Sequence, residues 1–442
     1  MAAVPTLLVC AVSLAGQTAT DRAWWLSGQL NVIYQWHPSF PASYSGANSL
    51  RSTEESATST VATVYGGLRV GSRMEILFDL ESAGGGGISQ AFGLAGFTNL
   101  DVVRNPTLGP SPYVARGLIR YSIPLSGMKQ SHTPELHALL SSVPVRLLSI
   151  TAGKLGIVDF FDLNTAGGDS HLQFMNWTVD NNGAYDYAAD TRGYTIGVVA
   201  EFRDRTWAAR WGEALTPTVA NGIRYDWDVA RAHAENVEIE LDRGIVPGHD
   251  GILRLLGFMN HARMGSYQEA LDAFAGGRDS VPDIVAHRQA GRRKGGAGLN
   301  VEQDVGRGFR VFGRAGQNDG RIESFAYTEV DRSLEVGLAW VQRSGNRGDR
   351  LGIALVSNGL SSQHREYLAR GGLGFLLGDG ALAYGPERIV EAYYTRGVRG
   401  GVSVALDIQH IVHPGYNRDR GPVTVLALRA HLDVPDPMRA GR

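Results

Sequence analysis

Apolar and polar residues alternate with period two through most of the chain, which predicts strands rather than helices. Over 26–36 one face reads Leu26, Gly28, Leu30, Val32, Tyr34 and Trp36, and the other Ser27, Gln29, Asn31, Ile33 and Gln35. Over 73–81, Met74, Ile76, Phe78 and Leu80 oppose Arg73, Glu75, Leu77, Asp79 and Glu81. Further on, Val402, Val404, Leu406 and Ile408 oppose Ser403, Ala405, Asp407 and Gln409, and Leu426, Leu428, Ala430, Leu432 and Val434 oppose Arg429, His431 and Asp433. The pattern places sixteen strands, at 23–36, 59–70, 73–82, 113–124, 145–154, 191–203, 206–214, 234–242, 251–261, 294–303, 308–317, 332–342, 349–357, 387–397, 401–411 and 422–434.

A soluble β-sandwich alternates in the same way, so loop length has to separate the two architectures. Connections 83–112, 155–190, 262–293 and 358–386 are long, whereas 71–72, 204–205, 304–307 and 398–400 are tiny. An even number of strands, with short turns on one rim and long loops on the other, predicts an all-β transmembrane antiparallel barrel over 21–434. The connection 125–144 breaks the sorting and points to a helix or an unplaced strand. Trp24, Trp25, Trp36, Tyr113, Tyr121, Trp207, Trp211, Trp340, Tyr393 and Tyr394 fall near strand ends or on outward faces, where interfacial girdles form.

Composition agrees with many short strands and turn glycines. The 442 residues include 57 glycines, 19% are charged, the formal charge is −2 and the mean hydropathy is −0.13. No broad basic surface for nucleic acid follows from that balance. Past the first twenty residues no apolar run reaches the length of about 18 that a membrane helix needs. Residues 4–16 have the length of a signal-peptide core, with 13–15 or 17–19 as cleavage site, so 1–20 reads as an export leader, although Met1–Pro5 carries no Lys or Arg. Cys10, the one cysteine, lies inside it after Val9, a poor lipoprotein context, and the remainder carries neither disulfide nor Cys–metal chemistry.

The chain contains no G-x-S-x-G, H-E-x-x-H or P-loop, and no G-x-G-x-x-G between a strand and a helix. Nothing announces an enzyme, and no cofactor or metal is expected. Asp180-Asn181-Asn182-Gly183 with Asp186 and Asp190 is rich in oxygen ligands, but its spacing is not that of an EF-hand and it reads as a solvated loop. His364 reads as a loop-surface residue and His431 as a lumen residue. A pore needs a polar inward face and something that narrows the lumen, and sixteen strands leave a water-filled channel. The inward candidates are Arg73, Glu75, Asp79, Glu81, Arg210, Glu238, Glu240, Arg310, Arg314, Asp407, Gln409 and Arg429. Their mixed signs favour a neutral polar solute. Sugars fit, since carboxylates, amides and guanidinium groups bond hydroxyls in pairs and aromatic rings cover C–H faces. The loop 155–190, with Phe160, Phe161, Asp162, Asn164, Trp177, Asp180, Asn181, Asn182, Tyr185 and Asp186, is expected to fold inward as the constriction. Trp177 there either touches solute or packs on the wall. A general or acidic-oligosaccharide porin and a plugged structural or adhesive barrel stay open beside this reading; an outer-membrane lipase lacks an identifiable Ser–His pair.

Specific runs add a family. Leu377-Gly378-Asp379-Gly380, Tyr384-Gly385-Pro386-Glu387, Glu391-Ala392-Tyr393-Tyr394, Asp407-Ile408-Gln409, Pro414-Gly415-Tyr416-Asn417 and Asp419-Arg420-Gly421-Pro422 occur in order. Together with Gly84 to Gly87, Phe97-Thr98-Asn99 and Phe174-Met175-Asn176-Trp177, this resembles the carbohydrate-selective porin family (OprB-like) of Gram-negative outer membranes. The resemblance implies a sixteen-stranded barrel in outer-membrane lipid that passes mono- or oligosaccharides by diffusion, with no cofactor or energy coupling, and with Trp177, Asp407 and Gln409 facing the pore. A homotrimer is common for pores of this kind. Barrels of such families usually end on an aromatic residue; here Val434 takes that place and 435–442 follow as a short tail.

Overall fold

The computed structural model describes residues 23–103, 108–131, 137, 139, 142–342, 348–398 and 400–434; the expected leader 1–20 and tail 435–442 lie outside them. The strands are β1 Trp24–His37, β2 Glu55–Val70, β3 Met74–Gly85, β4 Tyr113–Pro124, β5 Lys129–Ser131, β6 Ser142–Pro144, β7 Leu147–Leu155, β8 Thr195–Arg203, β9 Trp207–Leu215, β10 His233–Asp242, β11 Gly251–Met264, β12 Gln289–Gly306, β13 Phe309–Asn318, β14 Arg332–Val341, β15 Arg350–Gly359, β16 Glu387–Gly397, β17 Val402–Val412 and β18 Val423–Val434. All except the β5–β6 hairpin form one closed barrel in which neighbours pair antiparallel, and β1 joins β18 from Gly28↔Val434 to Trp36↔Leu426. Closure leaves no sheet edge in the lipid. Three helices, α1 Trp177–Asp180, α2 Tyr267–Ala275 and α3 Ser362–Ala369, lie in the long loops.

Each expected strand has its counterpart, and the differences have local causes. β12 starts at Gln289 rather than at 294 because its polar first residues gain a ladder partner in β11, through a register shift that pairs Met264 with Gln289. β8 starts at Thr195 rather than at 191. Asp190 accepts from the N–H groups of Arg192 and Tyr194, and its own N–H donates to the Tyr194 carbonyl, which curls this stretch into a turn. The misfit connection 125–146 carries the β5–β6 hairpin and returns His137 and Leu139 to the barrel wall.

Alternation decides what each face meets. In β17 the even positions are exposed and the odd ones buried, and Leu406 is 64% exposed in the middle of the strand. On a membrane barrel such outward apolar residues face lipid. Leu406→Arg is therefore expected to cost about 2–4 kcal/mol, read as a lower fraction of heat-modifiable, folded protein after refolding into lipid; an unchanged fraction would place this face away from lipid. Trp24, Trp36, Tyr121, Trp207, Trp211, Trp340 and Tyr394 stand on the outward face, whereas Trp25, Tyr113 and Tyr393 turn inward. Adjacent aromatics on one strand must point to opposite faces. That is why Trp24 and Trp25, or Tyr393 and Tyr394, cannot both join a girdle.

The barrel interior is filled by loops rather than left empty. Loops 86–112, 156–194, 319–331 and 360–386 bring Phe97, Phe161, Phe174, Tyr185, Tyr327 and Leu376 into one buried apolar cluster inside a polar wall. His364 is correspondingly no surface residue. It is fully buried between α2 and α3, stacked on Tyr267 at 4.2 Å and 3.1 Å from Asp331.

Candidate functional site

Loop 156–194 crosses the lumen, and the inward carboxylates hold it there. Burying a loop orphans its backbone N–H groups, and a carboxylate facing them satisfies two at once. Glu391 accepts from the N–H groups of Met175 and Asn176, Glu238 from Asp162, and Glu302 from Thr165. Glu387 does the same for Ala95 and Gly96 of loop 86–112. Asn176 Nδ2 donates to Gln409 Oε1 at 2.9 Å, and Arg429 donates to the Ser170 and Gln173 carbonyls at 2.6 and 2.9 Å. Arg314 reaches furthest: its side chain 1% exposed, it lies 3.1 Å from Asp162 and 3.2 Å from Glu335 and donates to the carbonyls of Val179 and Asp180.

The free space lies on the other side of the loop, against β1–β4. A cavity of about 690 Å³ opens below the loop toward the short-turn rim, and one of about 240 Å³ above it toward the long loops. Glu81, Arg116, His171, Asp180, Asn181 and Tyr194 line both and so surround the junction. Each charge there is held in place. Arg116 forks onto Asp159 at 2.6 and 2.7 Å and reaches Asp79 at 3.0 Å. Glu81 accepts from the hydroxyls of Tyr113, Tyr194 and Thr63 and forms no ion pair among the described residues. Arg192 lies over the Tyr113 ring at 3.6 Å and Arg116 over the Tyr194 ring at 5.2 Å, which covers both rings with guanidinium groups.

His171 and Asp180 are among the groups of the loop with displaced pKa values. Burial disfavours the His171 imidazolium, but the charge and hydrogen bond of Asp101, 3.1 Å away, outweigh it and push His171 up to about 9. Asp180 is pushed up to about 7, chiefly by burial, with the charges of Asp169 and Asp101 adding to it against those of Arg314 and His171.

The expected lining separates into four groups. Glu81, Asp180 and Asn181 line both cavities. Arg210, Asp407, Gln409 and Arg429 do face inward, yet the loop or other charges cover them: Arg210 pairs with Glu201, Glu238 and Glu240, and Asp407 accepts from Gln409 at 3.2 Å. Glu75 and Asp79 are likewise taken up, by the Leu139 N–H and by His137 with Arg116. Arg73 departs altogether, standing exposed in the turn between β2 and β3. Trp177 lines the upper cavity but is 8% exposed, its ring stacked on Tyr327 at 5.4 Å and its Nε1 donating to the Asn99 carbonyl. Packing therefore takes most of this residue. The run 180–190 is no solvated loop either: Asn182 and Asp186 are buried, and Asp186 accepts from the N–H groups of Phe325 and Ala326. Among the described residues no group of three or more His, Cys, Asp or Glu could hold a metal ion.

Arg116, His171 and Tyr194 join the site without being marked by the sequence pattern. Arg116 shares an inward face with Leu118 and Arg120, a signal that alternation does carry, but a register shift at Asp79/Leu80 interrupts it beside Val114. His171 and Tyr194 sit in a loop, where no period points them anywhere.

A family model described as carbohydrate-selective porin, OprB family, matches residues 141–433. Among solved structures, the high-pH structure of Pseudomonas putida OprB aligns with TM-score 0.69 at 12% identity, covering 93% of this chain and 94% of that one. The outer membrane channel DcaP of Acinetobacter baumannii aligns with TM-score 0.49 at 10% identity, covering 95% and 100%. At such identities the first of these is a likeness of fold. No curated relative matches the chain. Because the family model covers more than half of the chain and the strands close into a porin barrel, the chain belongs to the carbohydrate-selective porins of the OprB family, passive sugar channels of the Gram-negative outer membrane.

Proposed function

We propose that sugars cross this barrel along the β1–β4 side, squeezing between that wall and loop 156–194 at the ring of Glu81, Arg116, His171, Asp180, Asn181 and Tyr194. The observation that carries this path is the pair of cavities that meet at those residues from opposite rims. The chemistry suits a polyol. The ring offers paired acceptors and donors fixed by their own partners, so a hydroxyl exchanges water for them without disturbing the wall. Binding of this kind is weak and repeated, which is what flux requires. The aromatic faces at the ring are already covered, so hydrogen bonding rather than stacking does the selecting there.

Export of the chain with removal of residues 1–20, and assembly as a homotrimer, belong to the same reading. The mass of the mature protein and its size in detergent test them. Single-channel recording in a planar bilayer tests the passage: added glucose or maltose is expected to interrupt the ion current, with occupancy rising with sugar concentration. A current indifferent to sugar would turn the reading toward a general porin, and no current at all toward a plugged barrel.

A further inference from the structure

The lower cavity has an organisation that a passive outlet does not need. From the short-turn rim upward, β1 sends Trp25, Ser27 and Gln29 inward, and β18 sends Asp433 opposite Gln29 and His431 opposite Asn31. Inward neighbours on a strand are about 7 Å apart, so Trp25 and Gln29 bracket roughly 14 Å of wall. The Trp25 ring lies beside Gly67, in the space that a side chain there would occupy. Three lining residues keep a buried polar atom with no partner among the described residues: Trp25 Nε1, His431 Nδ1 and Asp180 Oδ1. His431 is 5% exposed and Asp180 7%. Unpaired buried polar atoms are uncommon because each forfeits its hydration, and three of them stand in the wall of this one cavity.

We infer that the vestibule between loop 156–194 and the short-turn rim is a second sugar subsite, in which the Trp25 ring covers the C–H face of a pyranose and Gln29 and His431 bond its hydroxyls. The inference rests on the sugar-channel reading and adds a place and a ligand form to it. An aromatic side wall with a few convergent polar groups is the usual make-up of a small-molecule site, and about 690 Å³ falls in the usual range. The length bracketed by Trp25 and Gln29 suits a disaccharide better than a monosaccharide. Unlike the rings of Tyr113 and Tyr194, the Trp25 ring has no cation lying over it among the described residues.

The test uses the full-length porin in planar bilayers with maltose added to one side at a time. In the wild type, maltose from the short-turn side is expected to dwell longer than maltose from the long-loop side. Trp25→Ala is expected to shorten that dwell about tenfold while leaving the open-channel current in place, Trp25→Phe to recover most of it, and Gln29→Ala to shorten it less. Dwell times equal to wild type in both Trp25→Ala and Gln29→Ala would overturn the subsite while the sugar channel stands. Absence of maltose block from either side would overturn the subsite, and absence of block by glucose as well would overturn both readings. Should Trp25→Ala fail to insert, Trp25→Phe and Gln29→Ala carry the comparison, and identical dwell in these two and the wild type overturns the subsite.

Discussion

Replacing Arg314 by Ala is expected to release loop 156–194 from the lumen. Its side chain is 1% exposed, and the guanidinium stands between Asp162 of the loop and Glu335 of β14 while holding the Val179 and Asp180 carbonyls. Its removal strands two buried carboxylates, and breaking a buried pair in this way costs about 3–5 kcal/mol. The barrel itself has an easier way out than unfolding, because its wall is closed by backbone ladders that do not involve the loop. Detachment of the loop rehydrates both acids and leaves a lumen as wide as sixteen strands allow. Single-channel conductance should then roughly double or more, sugar-dependent interruptions should disappear, and heat-modifiable mobility should persist. Conductance and sugar block like those of the wild type would show that the other anchors, Glu391 and Arg429 among them, seat the loop on their own.

The second large effect is a change of ion selectivity with pH. With Asp180 pushed up to about 7, the junction gains close to one negative charge as pH rises from 6 to 8, while His171, pushed up to about 9, stays protonated through most of that range. A unit charge about 6 Å from a passing ion in water is worth about 0.7 kcal/mol, roughly threefold in permeability. Reversal potentials in a KCl gradient should therefore move toward potassium preference by about that factor between pH 6 and pH 8. Asp180→Asn should flatten the step. Loss of the His171 charge toward pH 9 and above should add a second shift of the same sign. For seating of the loop the sign runs the other way: a raised His171 contributes its stabilisation fully below its ordinary value of 6.5 and loses it as pH climbs through about 9.

The wall was readable from the residues because a barrel strand has only two faces and period two labels both. Leu406 against Asp407, or Phe78 against Asp79, is enough to orient a strand. Facing inward, however, is not the same as facing the passage. Arg210 and Arg429 satisfy the alternation, yet their partners are charges on neighbouring strands or backbone groups of a loop more than two hundred residues away in the chain. No periodicity records such pairings. The mixed signs that pointed to a neutral solute have a plainer cause in these cases: opposite charges and N–H groups neutralise one another inside the wall. Trp177 illustrates the same limit, since an aromatic residue in a constricting loop is as useful for packing the loop, here on Phe97 and Tyr327, as for touching sugar.

The seam between β1 and β18 also dictates when the protein can become itself. Its nine residue pairs join segments about four hundred positions apart, and until they form, two strands present unpaired edges. Contacts of such separation are the slowest to close, since the entropy of looping out the intervening chain is met before the ladder returns anything. Synthesis and folding are thereby uncoupled: with β18 unmade there is no partner for β1, and an unclosed sheet cannot lodge in lipid with its backbone groups exposed. The chain must be kept apart from its own kind until its last strand arrives. For this barrel the hazard lies in the interval before closure, and the seam ends it.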